Sequence, residues 1–97
     1  MRKLKFTTRA KKSVTKLLKY SPEISRLIAS QIKKLRENPM ANNTKKIVGF
    51  PCYRARVGSY RIVYEFNDEY LFITLVEKRD EVYQKLNKLY SKNLRPS

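Results

Sequence analysis

Three arginines fall on one face of a predicted β-hairpin, where their side chains can bind an anionic group. Residues 52–66 alternate polar and apolar side chains on both sides of Gly58-Ser59, which is typical of two strands joined by a two-residue turn. This register puts Arg56 opposite Arg61, with Arg54 on the same face. Because like charges directly opposite each other destabilise a sheet, we expect an anion to bind there. The alternative is a solvated face whose arginine stems cover apolar surface.

More cations and a tyrosine follow where the last strand is expected to meet the last helix. Lys78 and Arg79 are adjacent, and Tyr83 comes one helical turn later. Tyr83 lies outside the apolar stripe of that helix, so its ring or hydroxyl can contact a base or a phosphate, although helix packing is the alternative. If the strand ends and the helix start converge, these residues and the three arginines line one cleft.

The residue types that most catalytic centres use are missing. The chain has no histidine, one cysteine and two glycines, and it has no group of carboxylates at metal-ligand spacing. We therefore expect no metal, no cofactor, no serine–histidine triad and no glycine-rich phosphate loop. The single cysteine, Cys52, also excludes an intrachain disulfide.

The charge of the chain indicates a polyanionic partner. The 97 residues, which we interpret as a single domain over 1–97, carry 23 Lys and Arg against 8 Asp and Glu, a net charge of +15. Residues 1–50 contribute 14 of the basic side chains and residues 51–97 contribute 9, so the folded surface itself is expected to be positive. The first residues lack the apolar run of a secretory signal, and no segment is apolar enough to span a membrane. We expect a cytoplasmic protein with no membrane partner.

The pattern predicts an α+β domain with the order β-α-α-β-β-β-α. Its mostly antiparallel sheet is covered by an N-terminal helical hairpin. Ser21-Pro22 is a strong helix start, with Ser as N-cap, and Thr8 is the expected cap of the helix before it. The predicted elements are a strand over 2–7, helices over 8–20 and 22–38, a polar loop over 40–50, strands over 52–57, 60–66 and 70–76, and a helix over 79–90.

A second two-residue turn at Asn67-Asp68 is expected to set the register of the last two strands. It puts Ile62 opposite Ile73 and places Leu75 on the face that the helical hairpin covers. The last helix is expected to cover the apolar part of the opposite face with a stripe formed by Val82, Leu86 and Leu89.

The central and C-terminal motifs resemble the RelE/ParE toxin family. Its members carry the core Tyr-Arg-x-Arg-x-Gly-x-Tyr-Arg followed by two hydrophobic residues and Tyr, then a basic pair and Glu-Val-Tyr; residues 53–64 and 78–83 match. The resemblance covers nearly the whole chain and is closest to the RelE branch. It implies a type II toxin that enters the ribosomal A site and cleaves mRNA without a metal, and a RelB-like antitoxin that wraps and blocks it.

The resemblance also implies roles for individual residues. Arg61 matches the arginine that binds and stabilises the scissile phosphate, Arg79 the proposed general acid or phosphate binder, and Tyr83 the tyrosine that orients the base. Arg56 and Arg54 lie where well-known bacterial members have lysines, one of them a proposed general base. We expect Arg56 to belong to the catalytic set and Arg54 to bind substrate.

The general base is left open by this departure from the family pattern. Arginine is a poor base because its pKa is above about 12, whereas the RNA supplies its own nucleophile, the 2′-hydroxyl. Lys78 and Lys46, which we also expect to bind substrate, and Tyr83 are candidates if nearby cations lower their pKa. The other possibility is that no strong base takes part and that the ribosome holds the mRNA in the geometry that the reaction needs.

Three functions follow as hypotheses. The first is a ribosome-dependent mRNA endonuclease that inhibits translation. The second is a ParE-like DNA gyrase inhibitor of the same fold, which does not need Arg61, Arg79 and Tyr83 as an RNA-cleaving set. The third is a plain basic RNA-binding protein, which the ordered Arg/Tyr motif disfavours.

Overall fold

The computed structural model describes the backbone of residues 1–41 and 43–94 and the side chains of that part up to residue 91. Its elements follow the predicted order with one short strand in addition. They are β1 (Lys3–Phe6), α1 (Thr8–Tyr20), α2 (Pro22–Glu37), β2 (Thr44–Lys46), β3 (Tyr53–Val57), β4 (Tyr60–Phe66), β5 (Tyr70–Lys78) and α3 (Arg79–Leu94).

The sheet is five-stranded, in the order β1-β5-β4-β3-β2. Only β1, at one edge, runs parallel to its neighbour β5, and the other pairs are antiparallel. The predicted α+β class with a mostly antiparallel sheet is confirmed. The additional strand β2 lies in the segment expected to be a loop. Its three polar residues carry no strand pattern of their own, and pairing with β3 makes them extended.

The helical hairpin packs on one face of the sheet, as predicted, but the cap of its first helix differs. Thr7, not Thr8, caps α1, because its side-chain oxygen accepts a hydrogen bond from the Ala10 amide at 3.1 Å. Ser21 joins the two helices and Pro22 takes the first position of α2. Ser21 is the N-cap of α2, as predicted, although its side chain makes no capping hydrogen bond to the described residues. Its backbone N–H closes the last turn of α1 in a connection one residue long.

The β3–β4 hairpin has the predicted register. Val57 pairs with Tyr60, and Arg56 pairs with Arg61. Gly58 has a φ of 58°, a left-handed conformation that glycine adopts without strain and that a tight turn of this kind requires. The sequence therefore predicts correctly which residues lie across this turn.

The β4–β5 turn lies one residue later than predicted. The Asn67 N–H donates to the Tyr70 carbonyl at 3.0 Å, while the Asn67 side-chain oxygen accepts from the amides of Glu69 and Tyr70. These bonds close a turn of two residues, Asp68 and Glu69, and Phe66 pairs with Leu71. The predicted pairing of Ile62 with Ile73 is therefore wrong.

A β-bulge in β5 adds a second change of register. Tyr64 pairs with Ile73, but Val63 pairs with Leu75, so Thr74 is an extra residue without a partner on β4. Beyond Thr74 the alternation of faces shifts by one residue. Leu75 therefore lies on the α3 side of the sheet and not, as predicted, on the hairpin side.

The two faces of the sheet carry two separate hydrophobic cores. On the hairpin side, Ile28, Ile32 and Leu35 of α2 pack with sheet residues such as Ile62 and Tyr64. On the other side, the predicted stripe of α3 is confirmed: Val82 and Leu86 are buried, and Leu89 packs against them. No helix in the described part of the chain is long and apolar enough to cross a bilayer.

The C-terminal half of α3 is attached to the sheet by Tyr90. Its hydroxyl donates to the Glu65 carboxylate at 2.7 Å, and its ring centroid lies 5.5 Å from that of Phe50. Cys52 is fully buried in the same core, and this burial raises the pKa of its thiol to about 11. Burial also raises the pKa of Tyr90, so the phenol remains a donor at neutral pH.

We predict that Tyr90→Phe lowers the free energy of unfolding by about 1–2 kcal/mol, because the part-buried Glu65 carboxylate loses its hydrogen-bond donor. Urea unfolding followed by circular dichroism measures this. The matched control is Tyr20→Phe, since Tyr20 is 68% exposed, and its effect should stay within about 0.5 kcal/mol. Equal losses in the two variants would contradict the anchoring role of Tyr90.

We predict that native Cys52 reacts with a disulfide reagent at pH 8 at least about 100-fold more slowly than a peptide thiol with a pKa of about 8.5. A thiol whose pKa is about 11 has little thiolate at that pH, and burial also denies access. Absorbance of the released thiol gives the rate, and urea-unfolded protein is the control. A native rate close to the unfolded one would show that α3 does not cover Cys52.

Candidate active site

Arg61 lies at the centre of the candidate site and is only 7% exposed. Its Nη1 donates to the carbonyls of Gly58 and Tyr60, both at 2.9 Å, so the side chain folds back along the β3–β4 turn. Its Nε and Nη2 have no hydrogen-bond partner among the described residues. Because no described side chain has a fully buried nitrogen or oxygen without a partner, this edge of the guanidinium reaches solvent. It can donate two parallel hydrogen bonds to a phosphate.

Arg56 pairs with Arg61 across the hairpin, and Arg79 begins α3 beside the turn that precedes Arg61. Burial lowers the pKa of Arg61, and the positive charges of Arg56, Arg54 and Arg79 lower it further. Tyr83 acts in the opposite direction and raises this pKa. We call Arg54, Arg56, Arg61 and Arg79 the arginine cluster. A bound anion relieves the repulsion among its members.

The start of α3 places Arg79 and, one turn later, Tyr83 beside the cluster. The Arg79 N–H donates to the Ser59 carbonyl at 2.8 Å, so α3 begins beside the turn that precedes Arg61. Tyr83 follows one turn later and is 45% exposed, while Val82 next to it is buried in the α3-side core. The side chain of Tyr83 is therefore available to a ligand, as its position outside the apolar stripe predicts.

Lys46 lies away from the cluster, and Lys45 lies beside it. Lys46 pairs with Tyr53, which packs on the hairpin-side core; its Nζ donates to the Phe50 carbonyl at 2.8 Å and lies 5.6 Å from the Tyr53 ring centroid. Lys45 pairs with Arg54 and shares the face of the arginines. The sequence gives no indication of this, because the short strand β2 has no recognisable pattern.

Lys78 also faces another surface. It pairs with Tyr60 and lines a groove of about 700 Å³ between α1 and α3. Lys78 shares the face of Tyr60, which packs on the hairpin-side core, while the groove itself is also lined by Glu77 and Glu81. Its basic residues are Arg9, Lys12, Lys16, Lys78 and Lys85.

The site can bind and polarise a phosphate diester through guanidinium groups alone. Within residues 1–41 and 43–94, no three His, Cys, Asp or Glu side chains group as they do around a metal ion. Three cations from β3 and α3 act on the partly enclosed guanidinium of Arg61, where a charge that develops on phosphate oxygens is stabilised.

Comparisons with known proteins agree with this architecture. The family model described as the ParE toxin of the type II toxin–antitoxin system parDE matches residues 4–83. No curated protein matches the sequence. A YoeB/ParE toxin from Agrobacterium tumefaciens has 15% identity and a TM-score of 0.72 over 81% of this chain and 99% of that one.

Two further solved structures share the fold at similarly low identity. A YafQ mutant from E. coli has 13% identity and a TM-score of 0.71 over 86% of this chain and 99% of that one. YoeB in its complex with YefM from Staphylococcus aureus has 15% identity and a TM-score of 0.70 over 81% and 98%. The resemblance drawn from the sequence motifs is thus confirmed, and the chain belongs to the ParE toxin family of type II toxin–antitoxin systems.

Proposed function

We propose that this toxin is an endoribonuclease that cleaves mRNA in the ribosomal A site without a metal. The observation that carries the proposal is the arginine cluster, in which buried Arg61 keeps a free guanidinium edge and the charges of three other arginines act on it. The solved structures with the same fold include YoeB and YafQ toxins, which supports a toxin of this class.

The proposed reaction is an attack of the ribose 2′-oxygen on the adjacent phosphorus. The bond between phosphorus and the 5′-oxygen breaks, which leaves a 2′,3′-cyclic phosphate and a 5′-hydroxyl. Arg61 binds a non-bridging oxygen and stabilises its developing charge, with Arg56 and Arg54 holding the phosphate. Arg79 neutralises or protonates the leaving 5′-oxygen. Tyr83 positions the nucleotide, for which its exposed ring is suited.

The proton of the 2′-hydroxyl needs an acceptor. Arg54 and Arg56 stay protonated, so neither can accept this proton. Lys46 and Lys78 face other surfaces, so neither is suited to reach a phosphate bound at Arg61. We therefore assign this role to Tyr83 or to a group of the ribosome.

We further propose a RelB-like antitoxin as the partner that blocks the site. Similar solved structures are complexes of YoeB with YefM and of YafQ with DinJ. A chain of net charge +15 attracts an acidic or amphipathic segment, which can dock as a helix in a groove or as an added strand. The targets in the cell are then the ribosome and its mRNA, in the cytoplasm.

A second candidate, inhibition of DNA gyrase, is favoured by one observation, the match to the ParE toxin model. Nuclease and gyrase inhibitor share one fold, so the fold does not separate them. The cluster around Arg61 favours the nuclease, because inhibition of gyrase does not require a phosphate-polarising site. A plain RNA-binding protein, the third hypothesis, would bind stoichiometrically without arresting growth.

We predict that Arg79→Ala lowers mRNA cleavage on translating ribosomes at least about 100-fold, because the leaving oxygen loses its cation. Ribosome binding should change less than about threefold, since lysines dispersed over the surface carry most of the attraction. Primer extension maps the cleavage, and co-sedimentation measures the binding. The matched control is Lys33→Ala, a charge loss at an exposed position of α2.

Cleavage by Arg79→Ala at the wild-type rate would remove Arg79 from the mechanism. Wild-type expression that leaves mRNA intact but breaks DNA or removes supercoiling would replace the nuclease with the gyrase inhibitor. The 5′ ends of mRNA and the topology of a reporter plasmid, taken from the same culture, distinguish these outcomes.

A further inference from the structure

One carboxylate lies next to the arginine cluster but does not pair with it. Glu77 of β5 is the residue directly opposite Arg61 on β4, so the two side chains leave the same face of the sheet. A carboxylate beside a buried guanidinium ordinarily forms a strong bidentate pair with it. Such a pair would occupy the edge of Arg61 that a phosphate needs.

The Glu77 carboxylate instead accepts hydrogen bonds from side chains of two helices, α3 and α1. Its Oε1 accepts from the Lys85 ammonium of α3 at 3.0 Å, and its Oε2 accepts from the Ser13 hydroxyl of α1 at 3.3 Å. Within the described part of the chain, Lys85 is its only ion-pair partner within 4.0 Å. The charges that shift the pKa of Arg61 are those of three arginines and Tyr83, and Glu77 is not among them.

The contact between Glu77 and Lys85 is partly sheltered from water. The side chain of Glu77 is 11% exposed and that of Lys85 is 34% exposed, so solvent screens this pair less than a surface pair. The hydrogen bond to Glu77 is the main cause that raises the pKa of Lys85, which keeps the ammonium charged. A second carboxylate, Glu81, lies 3.7 Å from the same ammonium.

We propose that Lys85 is a positioning residue that holds the Glu77 carboxylate away from the arginine cluster and so keeps the cluster open to phosphate. The inference rests on the proposed function of the cluster as a phosphate site and adds a residue that controls its charge. Without Lys85, the Glu77 carboxylate keeps only the Ser13 hydroxyl as a donor, and its side chain can turn toward Arg61, which lies directly opposite on β4. The carboxylate then competes with the substrate as an internal anion.

The test is a pair of variants and their combination, with inorganic phosphate as the probe. Lys85→Met keeps most of the side-chain volume but frees the carboxylate, and it should weaken phosphate binding by the full-length protein about tenfold. Adding Glu77→Gln removes the competing charge and should restore the affinity to within about twofold of Glu77→Gln alone. Isothermal titration calorimetry at low ionic strength gives the dissociation constants.

A matched control separates the position of Lys85 from its charge. Lys88→Met removes one positive charge from an exposed position of the same helix and should change phosphate affinity less than about twofold. Lys85→Arg keeps a donor for Glu77 and should bind phosphate as the wild type does. Circular dichroism of each variant reports whether α3 is still folded.

Two results would overturn the proposal. One is a Lys85→Met affinity equal to that of Lys88→Met, and the other is a double variant as weak as Lys85→Met, which indicates a purely structural role. If Lys85→Met does not fold, the phosphate affinity of Glu77→Gln alone tests the proposal. An affinity within about twofold of wild type supports it. An affinity several-fold higher than wild type shows that Glu77 already occupies the cluster and contradicts it. Because the free protein is tested without ribosomes, a failure of mRNA cleavage leaves this result interpretable.

Discussion

The guanidinium of Arg61 is buried among like charges, and the surrounding structure is arranged to keep it there. Two backbone carbonyls of the β3–β4 turn hold its Nη1, which fixes the side chain without neutralising its charge. Burial and the neighbouring arginines both act against the positive charge. A bound phosphate stabilises a site of this kind, because it relieves the repulsion among the arginines that is present in the free protein.

Four local features set the positions of the charged groups at this site. The Gly58-Ser59 turn sets Arg56 opposite Arg61, and the bond from the Arg79 amide to the Ser59 carbonyl starts α3 beside the same turn. The bulge at Thr74 shifts the end of β5, so that Glu77 lies opposite Arg61, while its carboxylate bonds to Lys85 and Ser13. The packing of α3, attached at its far end by Tyr90, holds the first turn of that helix in place.

The sequence predicts the parts of this arrangement that depend on local rules. A two-residue turn fixes its own register, so the convergence of Arg54, Arg56 and Arg61 could be predicted from residue types and spacing alone. The bulge at Thr74 could not be predicted, because it depends on tertiary packing and no residue type in β5 indicates it. The bulge also makes the predicted face of Leu75 wrong. The strand that contains Lys45 and Lys46 has no sequence pattern of its own and forms by pairing with β3, so a loop is predicted there.

The family and the fold are established by the match over residues 4–83, while the activity depends on whether the cluster acts as one site. The most direct measurement is an NMR titration with a trinucleotide whose 2′-hydroxyls are methylated, so that it binds but is not cleaved. Our account predicts that the side-chain Nε–H signals of Arg61 and Arg79 shift together with a single dissociation constant. Shifts with different midpoints, or shifts confined to exposed lysines of α1 and α2, would contradict a common phosphate site.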